Sequence, residues 1–336
     1  MANFLVTGGT GQIGAYVSKE LVNSGQGLVI YDFKPNVENV ADIANKVAIV
    51  PGDVLDQNEL LNTIKNNRIT HIIHLAAFLV LESKNRPAKA IEVNCVGTSN
   101  VFEAARIFDI QRIVFASSVT VYGSPKLYRR AIVDEDDFPH CPSDPYSITK
   151  FVNEAMGKFY RETYGLDVVC LRVAGAWGPG RYSGYTGQFN DFMKNTAIGK
   201  PAKFPEDFAY KNANLRWLHV KDMASCFLHA ALVDKNRIRR ALYNAGSREA
   251  FKALDVVNAL RGLLPSQRID FSEVNEPTTI SSDVPGASGL DVDCRRLYEE
   301  LGFEAKLGLK EAVKDTVEFE RAKVGLTAIQ PDEISL

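Results

Sequence analysis

The chain has 336 residues, of which 46% are hydrophobic and 24% are charged, and its formal net charge at pH 7 is −2. This balance is typical of a globular protein with a substantial core. It provides no electrostatic attraction for nucleic acid or an acidic membrane, and no apolar run reaches the ~20 residues of a membrane-spanning helix. The five dispersed cysteines include no C-x-x-C pair, which is typical of a reducing compartment, so we predict a cytoplasmic protein. We predict no metal site, because His71 and His74 would point to opposite faces of one strand.

The first half of the chain alternates short apolar runs with longer helical patterns. The predicted strands are Phe4–Val6, Leu28–Tyr31, Val47–Val50, His71–His74, Arg112–Ala116 and Val168–Arg172, and the predicted helices are Ile13–Asn23, Gln57–Asn66, Ala88–Phe108 and Tyr146–Tyr164. Strands this short and apolar are typical of a parallel sheet buried on both faces. Their alternation with helices predicts an α/β fold with a doubly wound parallel Rossmann sheet over residues 1–172. Ligands of such sheets bind beyond the C-terminal ends of the strands.

The regular alternation ends after Arg172. A loop rich in Gly, Pro and Tyr is predicted at Gly175–Gly187 and a surface excursion at Glu276–Gly289. Between and after them we predict a strand at Ala241–Asn244 and helices at Phe189–Ile198, Lys221–Leu232, Lys252–Leu263, Cys294–Leu301 and Leu309–Ala322. Residues 173–325 are therefore predicted to form a smaller C-terminal substrate-binding subdomain, with residues 219–245 returning to the Rossmann core. Residues 326–336 are predicted to be a tail that is loose from Ile329 onward.

A glycine-rich segment follows the first predicted strand and opens the first predicted helix. A tight turn needs residues that tolerate positive φ, and a pyrophosphate can approach only a backbone without side chains. The N-terminus of the following helix offers free N–H groups and the positive end of its dipole to the pyrophosphate. We therefore predict a dinucleotide-binding loop within Thr7–Gly14, with contacts from Gly8, Gly11, Gln12, Ile13 and Gly14.

Two acidic residues follow the next two predicted strands. Asp32 can accept hydrogen bonds from both hydroxyls of an adenosine ribose and would repel a 2′-phosphate, which favours NAD over NADP. Lys34 lies close by and would partly offset this preference. Asp53, directly before Val54, either meets the adenine edge or caps the helix that follows.

The segment Tyr146-Ser147-Ile148-Thr149-Lys150 begins a predicted helix after Pro145, with Asp144 or Ser143 as its cap. Residues at i and i+4 share one helix face, so the phenol of Tyr146 and the ammonium of Lys150 point into the same space. A free phenol has a pKa of about 10 and is a poor base at neutral pH. A nearby ammonium stabilises the phenolate, and it can also bind the nicotinamide ribose. This pair predicts acid–base catalysis beside a bound dinucleotide.

Hydroxyl side chains follow the fifth predicted strand, in Phe115-Ala116-Ser117-Ser118-Val119-Thr120. A hydroxyl at the C-terminal end of this strand can hydrogen-bond a substrate alcohol or carbonyl beside the phenol. We assign this position to Ser118 with Thr120 as its helper, and Ser117 is the competing assignment.

Together these motifs resemble the extended short-chain dehydrogenase/reductase family, in particular its NAD-dependent epimerase/dehydratase branch. The likeness also includes His74-Leu75-Ala76-Ala77, Val93-Asn94-Cys95-Val96-Gly97-Thr98 and Arg216-Trp217-Leu218-His219-Val220-Lys221-Asp222. The resemblance implies a bound NAD, with Leu75, Ala76 and Ala77 along the adenosine channel. It also implies that Asn94 holds the central helix and borders the cofactor.

Departures from the family pattern narrow the reaction. Members that eliminate water carry an adjacent Asp-Glu pair after the catalytic hydroxyl, whereas this chain has Val119-Thr120, which argues against a dehydratase. Sugar 4-epimerases place an asparagine after the sixth strand to hold a nucleotide sugar, and here that residue is Gly175. Arg216 matches an arginine that binds diphosphate, although Trp217 replaces the aspartate that often follows it. Arg216 either contacts substrate or forms an ion pair with Asp222 or another neighbour.

The main hypothesis is an epimerase-like NAD-dependent oxidoreductase that oxidises a secondary alcohol of a sugar or nucleotide sugar. Its substrate contacts would come from Ser118, Thr120, Tyr146, Gly175 and Arg216. The alternative is a net dehydrogenase of a small hydroxy acid, a sugar acid or an amino alcohol, as in the short-chain threonine dehydrogenases. A minor alternative is a non-catalytic NAD-binding sensor.

The two longest predicted helices, Ala88–Phe108 and Tyr146–Tyr164, carry apolar residues beyond one narrow stripe. In the family that the chain resembles, these helices pack against their symmetry mates. We therefore expect a homodimer, with burial inside one subunit as the alternative.

Overall fold

Parallel strands form the central sheet of the structure, a computed structural model that describes residues 2–140, 144–180, 185–278 and 284–329. In chain order, the described strands are β1 (Asn3–Thr7), β2 (Gly27–Asp32), β3 (Ala48–Pro51), β4 (His71–His74), β5 (Arg112–Ser118), β6 (Ile132–Val133), β7 (Val168–Val173), β8 (Ala176–Trp177), β9 (Ala202–Lys203), β10 (Leu218–His219), β11 (Leu242–Ala245), β12 (Ile269–Asp270) and β13 (Asp291–Val292). Seven of them form one sheet in the order β11-β7-β5-β4-β1-β2-β3, and all of its neighbouring pairs are parallel. The other described strands form the short pairs β8–β10, β9–β12 and β6–β13. The fold is a doubly wound α/β Rossmann fold, and its strand order reverses between β1 and β4.

Helices cover both faces of this sheet. In chain order, the described α-helices are α1 (Gln12–Asn23), α2 (Gln57–Asn66), α3 (Val80–Asn85), α4 (Pro87–Ala90), α5 (Gly97–Ile107), α6 (Pro145–Tyr164), α7 (Tyr185–Ala197), α8 (Val220–Leu232), α9 (Ala253–Leu263), α10 (Arg295–Glu299) and α11 (Leu309–Lys323). A π-helical segment, Ile91–Val96, joins α4 to α5, so the predicted helix at Ala88–Phe108 is present with a wider turn in its middle. None of the described helices is long and apolar enough to cross a membrane.

Alternate residues of each strand face opposite layers of the core. Val6 packs with Val17 of α1 and Phe227 of α8, whereas the neighbouring Leu5 packs with Phe102 of α5 on the other face. Strand β11 lies at the edge of the sheet beside β7, so residues after 219 contribute to this core. The C-terminal ends of the strands therefore form a rigid edge on which a site can be built.

A separate apolar core lies in the C-terminal part of the chain. Its aromatic members include Trp177, Phe189, Phe208 and Trp217.

The predicted loop at Gly175–Gly187 was wrong in part, because it contains β8 and the first turn of α7. The predicted loose tail was also wrong at its first residue, since Ile329 is buried in this core. The rest of that tail, and Ser143 as a helix cap, lie outside the described residues.

Candidate active site

A cleft of about 670 Å³ lies along the C-terminal edge of the sheet, between the central strands and the C-terminal core. Most of the site residues predicted from the sequence line it: Gly8, Gly11, Gln12, Ile13, Gly14, Asp32, Asp53, Val54, Leu75, Ala76, Ala77, Ser118, Thr120, Tyr146, Lys150 and Gly175. Asn94 and Arg216 are not among the described residues that line it. The fold therefore brings together motifs from every strand–helix connection of the first half.

The glycine-rich loop after β1 has the backbone that a pyrophosphate cradle requires. Gly8 has a φ of +67°, and a Cβ atom there would lie 2.9 Å from the backbone nitrogen of Ala76. A Cβ atom on Gly14 would lie 2.2 Å from the carbonyl oxygen of Gly8. Gly11 is the N-cap of α1 and places no side chain over the first amides of that helix. Only glycine fits at positions 8 and 14, so the amide-rich end of α1 is left open to a phosphate.

The carboxylates of Asp32 and Asp53 accept hydrogen bonds from different groups. The Asp32 carboxylate lies at the end of β2 and accepts hydrogen bonds from the Thr10 amide (3.1 Å) and the Thr10 hydroxyl (2.7 Å). Asp53 accepts a hydrogen bond from the Leu55 amide at 3.0 Å. The cap of α2 is Asp56, so the alternative that Asp53 caps this helix was wrong. Both carboxylates line the end of the cleft that β1, β2 and β3 form.

Asn94 stands behind the wall of the cleft. Its side-chain amide accepts from the Phe78 N–H at 2.7 Å and donates to the Phe78 carbonyl at 3.0 Å. The same amide group donates to the Thr149 hydroxyl of α6 at 3.0 Å. Asn94 therefore ties the segment that follows β4 to the helix that carries Tyr146.

The Tyr146–Lys150 pair lies in the first turns of α6. Asp144 caps this helix by accepting hydrogen bonds from the Tyr146 and Ser147 amides. Lys150 is buried, and its ammonium donates to the Ala116 carbonyl at 2.8 Å. The Lys150 nitrogen lies 5.4 Å from the centre of the Tyr146 ring. Burial lowers the pKa of Lys150 to about 8, which brings its titration near neutral pH.

The two serines at the end of β5 have different partners. The Ser118 hydroxyl oxygen accepts hydrogen bonds from the Thr120 hydroxyl (2.9 Å) and the Thr120 amide (3.2 Å), so its own hydrogen can be donated into the cleft. The Ser117 hydroxyl instead donates to Glu154, whose carboxylate pairs with Arg172 at 2.8 Å. Because a buried ion pair engages Ser117, the geometry favours Ser118 over Ser117 as the substrate contact.

Gly175 and Trp217, which both depart from the family pattern, pack against each other. A Cβ atom on Gly175 would lie 2.2 Å from Cδ1 of Trp217, so the indole occupies the space that a side chain at 175 would need. Trp217 is held by edge-to-face contacts with Phe208 and Phe189, at centroid distances of 4.8 and 5.4 Å. Its indole also lines the cleft, a role that the sequence reasoning missed. The sequence gives only a weak signal for this contact, namely a glycine at 175 and a tryptophan at 217. Their proximity depends on the parallel pairing of β8 with β10.

Arg216 is engaged by a carboxylate from a distant segment. Its guanidinium forms two hydrogen bonds to Asp291, at 2.6 and 2.7 Å, and a third to the carbonyl of Arg248. The suggested pairing with Asp222 was wrong, because Asp222 accepts the amides of Lys306 and Leu307. Arg216 therefore connects the segment that precedes β10 to β13, which contains Asp291.

Comparisons with known proteins agree with this geometry. The model of the NAD dependent epimerase/dehydratase family matches residues 4–246, more than half of the chain, so the chain belongs to that family. The UDP-glucose 4-epimerase of Bacillus subtilis is 29% identical, over 95% of this chain and 97% of that protein. The UDP-glucose 4-epimerase of Thermus thermophilus, solved in complex with NAD, is 25% identical with a TM-score of 0.74, covering 95% of this chain and 99% of that one. The L-threonine dehydrogenase of Clostridium difficile has the same fold, with a TM-score of 0.82 at 20% identity over 98% of this chain and 99% of that one.

The family and the site define an NAD-dependent enzyme of the extended short-chain dehydrogenase/reductase type. The described residues fit the cofactor, since the loop at Gly8–Gly14 leaves room for phosphates that a side chain would fill. The epimerase and the dehydrogenase hypotheses both require the NAD on which this family depends.

Proposed function

We propose that the enzyme oxidises a secondary alcohol by hydride transfer, with Tyr146 as the acid–base group. The observation that carries the proposal is the convergence of Tyr146, Lys150 and Ser118 in the same cleft as the glycine-rich loop. NAD, when bound, supplies the hydride acceptor. The loop Gly8–Gly14 holds its pyrophosphate and Asp32 holds its adenosine ribose, while Asp53, Val54, Leu75, Ala76 and Ala77 line the adenosine channel.

The three catalytic side chains have separate tasks. The Tyr146 phenolate accepts the hydroxyl proton of the substrate. The buried Lys150 ammonium stabilises that phenolate by its positive charge, and the Ala116 carbonyl keeps the ammonium in place. Ser118 donates its hydroxyl hydrogen to the substrate oxygen, with Thr120 orienting it. Asn94 supports this arrangement from behind by fixing α6 through Thr149.

Two net reactions use this chemistry. In an epimerase the hydride returns to the other face of the keto intermediate, and the names of the curated relatives support this outcome. In a dehydrogenase the ketone leaves, and the packing of Trp217 against Gly175 favours this outcome. An epimerase must hold its keto intermediate while that intermediate rotates to present its other face. At position 175, the Trp217 indole fills the space that an asparagine side chain would need in order to hold a nucleotide sugar. We therefore place the net dehydrogenase first.

The enzyme is proposed to be a cytoplasmic homodimer. Helix α6 exposes the apolar side chains of Ile148, Val152 and Phe159, which recur at i, i+4 and i+11 and so share one face. Val96, at the end of the π-helical segment, is also half exposed. A second copy of this chain packing helix against helix would cover this stripe. The described cysteines are unpaired, which fits a reducing compartment.

Replacement of Tyr146 by phenylalanine tests the catalytic assignment. Since only the phenolic oxygen moves the proton, turnover is expected to fall about 10²–10⁴-fold while the Kd for NAD stays near the wild-type value. Tyr164→Phe is the matched control, because Tyr164 lies on the same helix with half of its side chain exposed. NADH formation is measured by absorbance, and NAD binding by calorimetry. A Tyr146→Phe enzyme that keeps most of its kcat contradicts the proposal.

A further inference from the structure

Gln12 is the first residue of α1, and it lines the cleft. The first amides of a helix have no acceptor within that helix, so the backbone N–H of Gln12 is one of the groups that the open end of α1 offers to a phosphate. The side chain of the same residue reaches a distant segment. Its Nε2 atom donates to the Gly178 carbonyl at 2.8 Å and to the Pro179 carbonyl at 3.3 Å, although Gly178 is 166 residues away in the chain.

The segment that accepts these hydrogen bonds belongs to the C-terminal part of the chain. Gly178 and Pro179 directly follow β8, whose Ala176 lines the cleft. Helix α7, which comes later in the chain, contributes Tyr185 to the same cleft. The cleft lies between the central strands and the C-terminal core, so the Gln12 side chain joins the two bodies that form it.

The backbone of the accepting segment is held in place independently of Gln12. The Gly178 amide donates to the side-chain oxygen of Asn190 in α7 at 2.9 Å, and this hydrogen bond is buried. Gly178 has a φ of +115°, and a Cβ atom there would lie 2.6 Å from Nε2 of His219. Only glycine fits at this position, and its backbone is fixed between α7 and His219. The Gly178 carbonyl is therefore a positioned acceptor for the Gln12 amide.

We infer that the Gln12 side chain is a strap that NAD must open in order to enter or leave the cleft. It extends from the proposed pyrophosphate site at the start of α1 to Gly178 and Pro179. Since both partners of these hydrogen bonds belong to the protein, they form with and without the cofactor. The strap therefore slows entry and release by a similar factor and leaves the equilibrium affinity nearly unchanged. This inference concerns the passage of the cofactor, and it applies to an epimerase and to a dehydrogenase alike.

The rates of NADH binding test the inference without any substrate. The full-length protein is freed of nucleotide, and the association rate constant of NADH is measured by stopped-flow fluorescence. The dissociation rate constant is measured by displacing bound NADH with excess NAD. In Gln12→Ala both constants are expected to rise about 3- to 10-fold, the effect of one lost hydrogen bond, while Kd stays within about twofold of wild type.

Gln57→Ala is the matched control, because Gln57 is the first residue of α2 and its side chain is exposed. Its rate constants are expected to equal those of the wild type. If Gln12→Ala raises the dissociation rate without a matching rise in the association rate, Gln12 is a direct ligand of the cofactor and the strap is refuted. Unchanged rates refute it as well. Because no alcohol is present, these outcomes are independent of whether the proposed oxidation occurs.

A second variant separates the hydrogen bonds from the bulk of the side chain. Gln12→Met keeps a side chain of similar length that has no N–H to donate. It is expected to show the same faster association and dissociation as Gln12→Ala, with a Tm close to that of the wild type. Wild-type rates in Gln12→Met would contradict the inference, because they would show that the hydrogen bonds to Gly178 and Pro179 do not limit the passage of NADH.

Discussion

Removal of the Arg216 side chain separates a structural role from substrate recognition. The guanidinium and the Asp291 carboxylate form a two-pronged pair whose side chains are only 16% and 9% exposed. In Arg216→Ala the carboxylate keeps the Val292 amide as a donor but loses its counter-charge. We therefore expect the variant to be less stable and to bind substrate normally.

The expected loss follows from the burial of the pair. Breaking a buried ion pair by removing one partner costs about 3–5 kcal/mol, because an uncompensated charge remains. Since both side chains retain some contact with solvent, we expect about 3 kcal/mol for Arg216→Ala. In a chain of 336 residues that corresponds to a fall in Tm of about 4 °C.

The assay combines thermal and urea unfolding with steady-state kinetics. The second variant, Arg216→Ala with Asp291→Asn, removes the orphaned charge and should recover about 1–2 kcal/mol. KM for the substrate should stay within about twofold of wild type in both variants. The reason is that Arg216 is not among the described residues that line the cleft. If Tm is unchanged and KM rises about tenfold or more, Arg216 binds substrate and the reasoning from its ion pair is refuted.

Three further outcomes follow from the site and the fold. Asp32→Ala should lower the NAD/NADP ratio of kcat/KM, because the variant lacks both the ribose contact and the repulsion of a 2′-phosphate; a wild-type enzyme that prefers NADP would contradict this. Lys150 has a folded-state pKa of about 8, lowered by burial from 10.5. The unfolded chain therefore binds more protons between these values, so wild-type stability should rise relative to Lys150→Met from pH 8 to pH 10.5 in urea unfolding. A constant difference between the two proteins would show that Lys150 is not desolvated. Val152→Glu should convert the proposed dimer to a monomer by light scattering, and a wild-type monomer at micromolar concentration would exclude the dimer.

Features that depend on local spacing could be read from the sequence. The glycines at 8, 11 and 14 are fixed by the turn between one strand and one helix, and the structure confirms that Cβ atoms at 8 and 14 would collide with backbone. Tyr146 and Lys150 are one helical turn apart, so they share a face in any helix that contains them. Alternation of short strands with helices was likewise sufficient for the α/β class, because right-handed crossovers leave few arrangements of the sheet.

The partners of Arg216 and Gly175 could not be read in this way. Asp291 lies 75 residues after Arg216 in the chain, and only the pairing of distant segments brings the two charges together. The Trp217 indole reaches the space beside Gly175 because β8 and β10 are parallel neighbours in a short sheet. Ser117 and Ser118 are adjacent in sequence, yet in the fold the Ser117 hydroxyl donates to Glu154 whereas the Ser118 hydroxyl accepts from Thr120. Helix and strand periodicities act over a few residues, and they were sufficient to predict the glycine-rich loop at Gly8–Gly14 and the shared helix face of Tyr146 and Lys150. The partners of Arg216, Gly175 and Ser117 were decided by packing between segments far apart in the chain, for which no local rule exists.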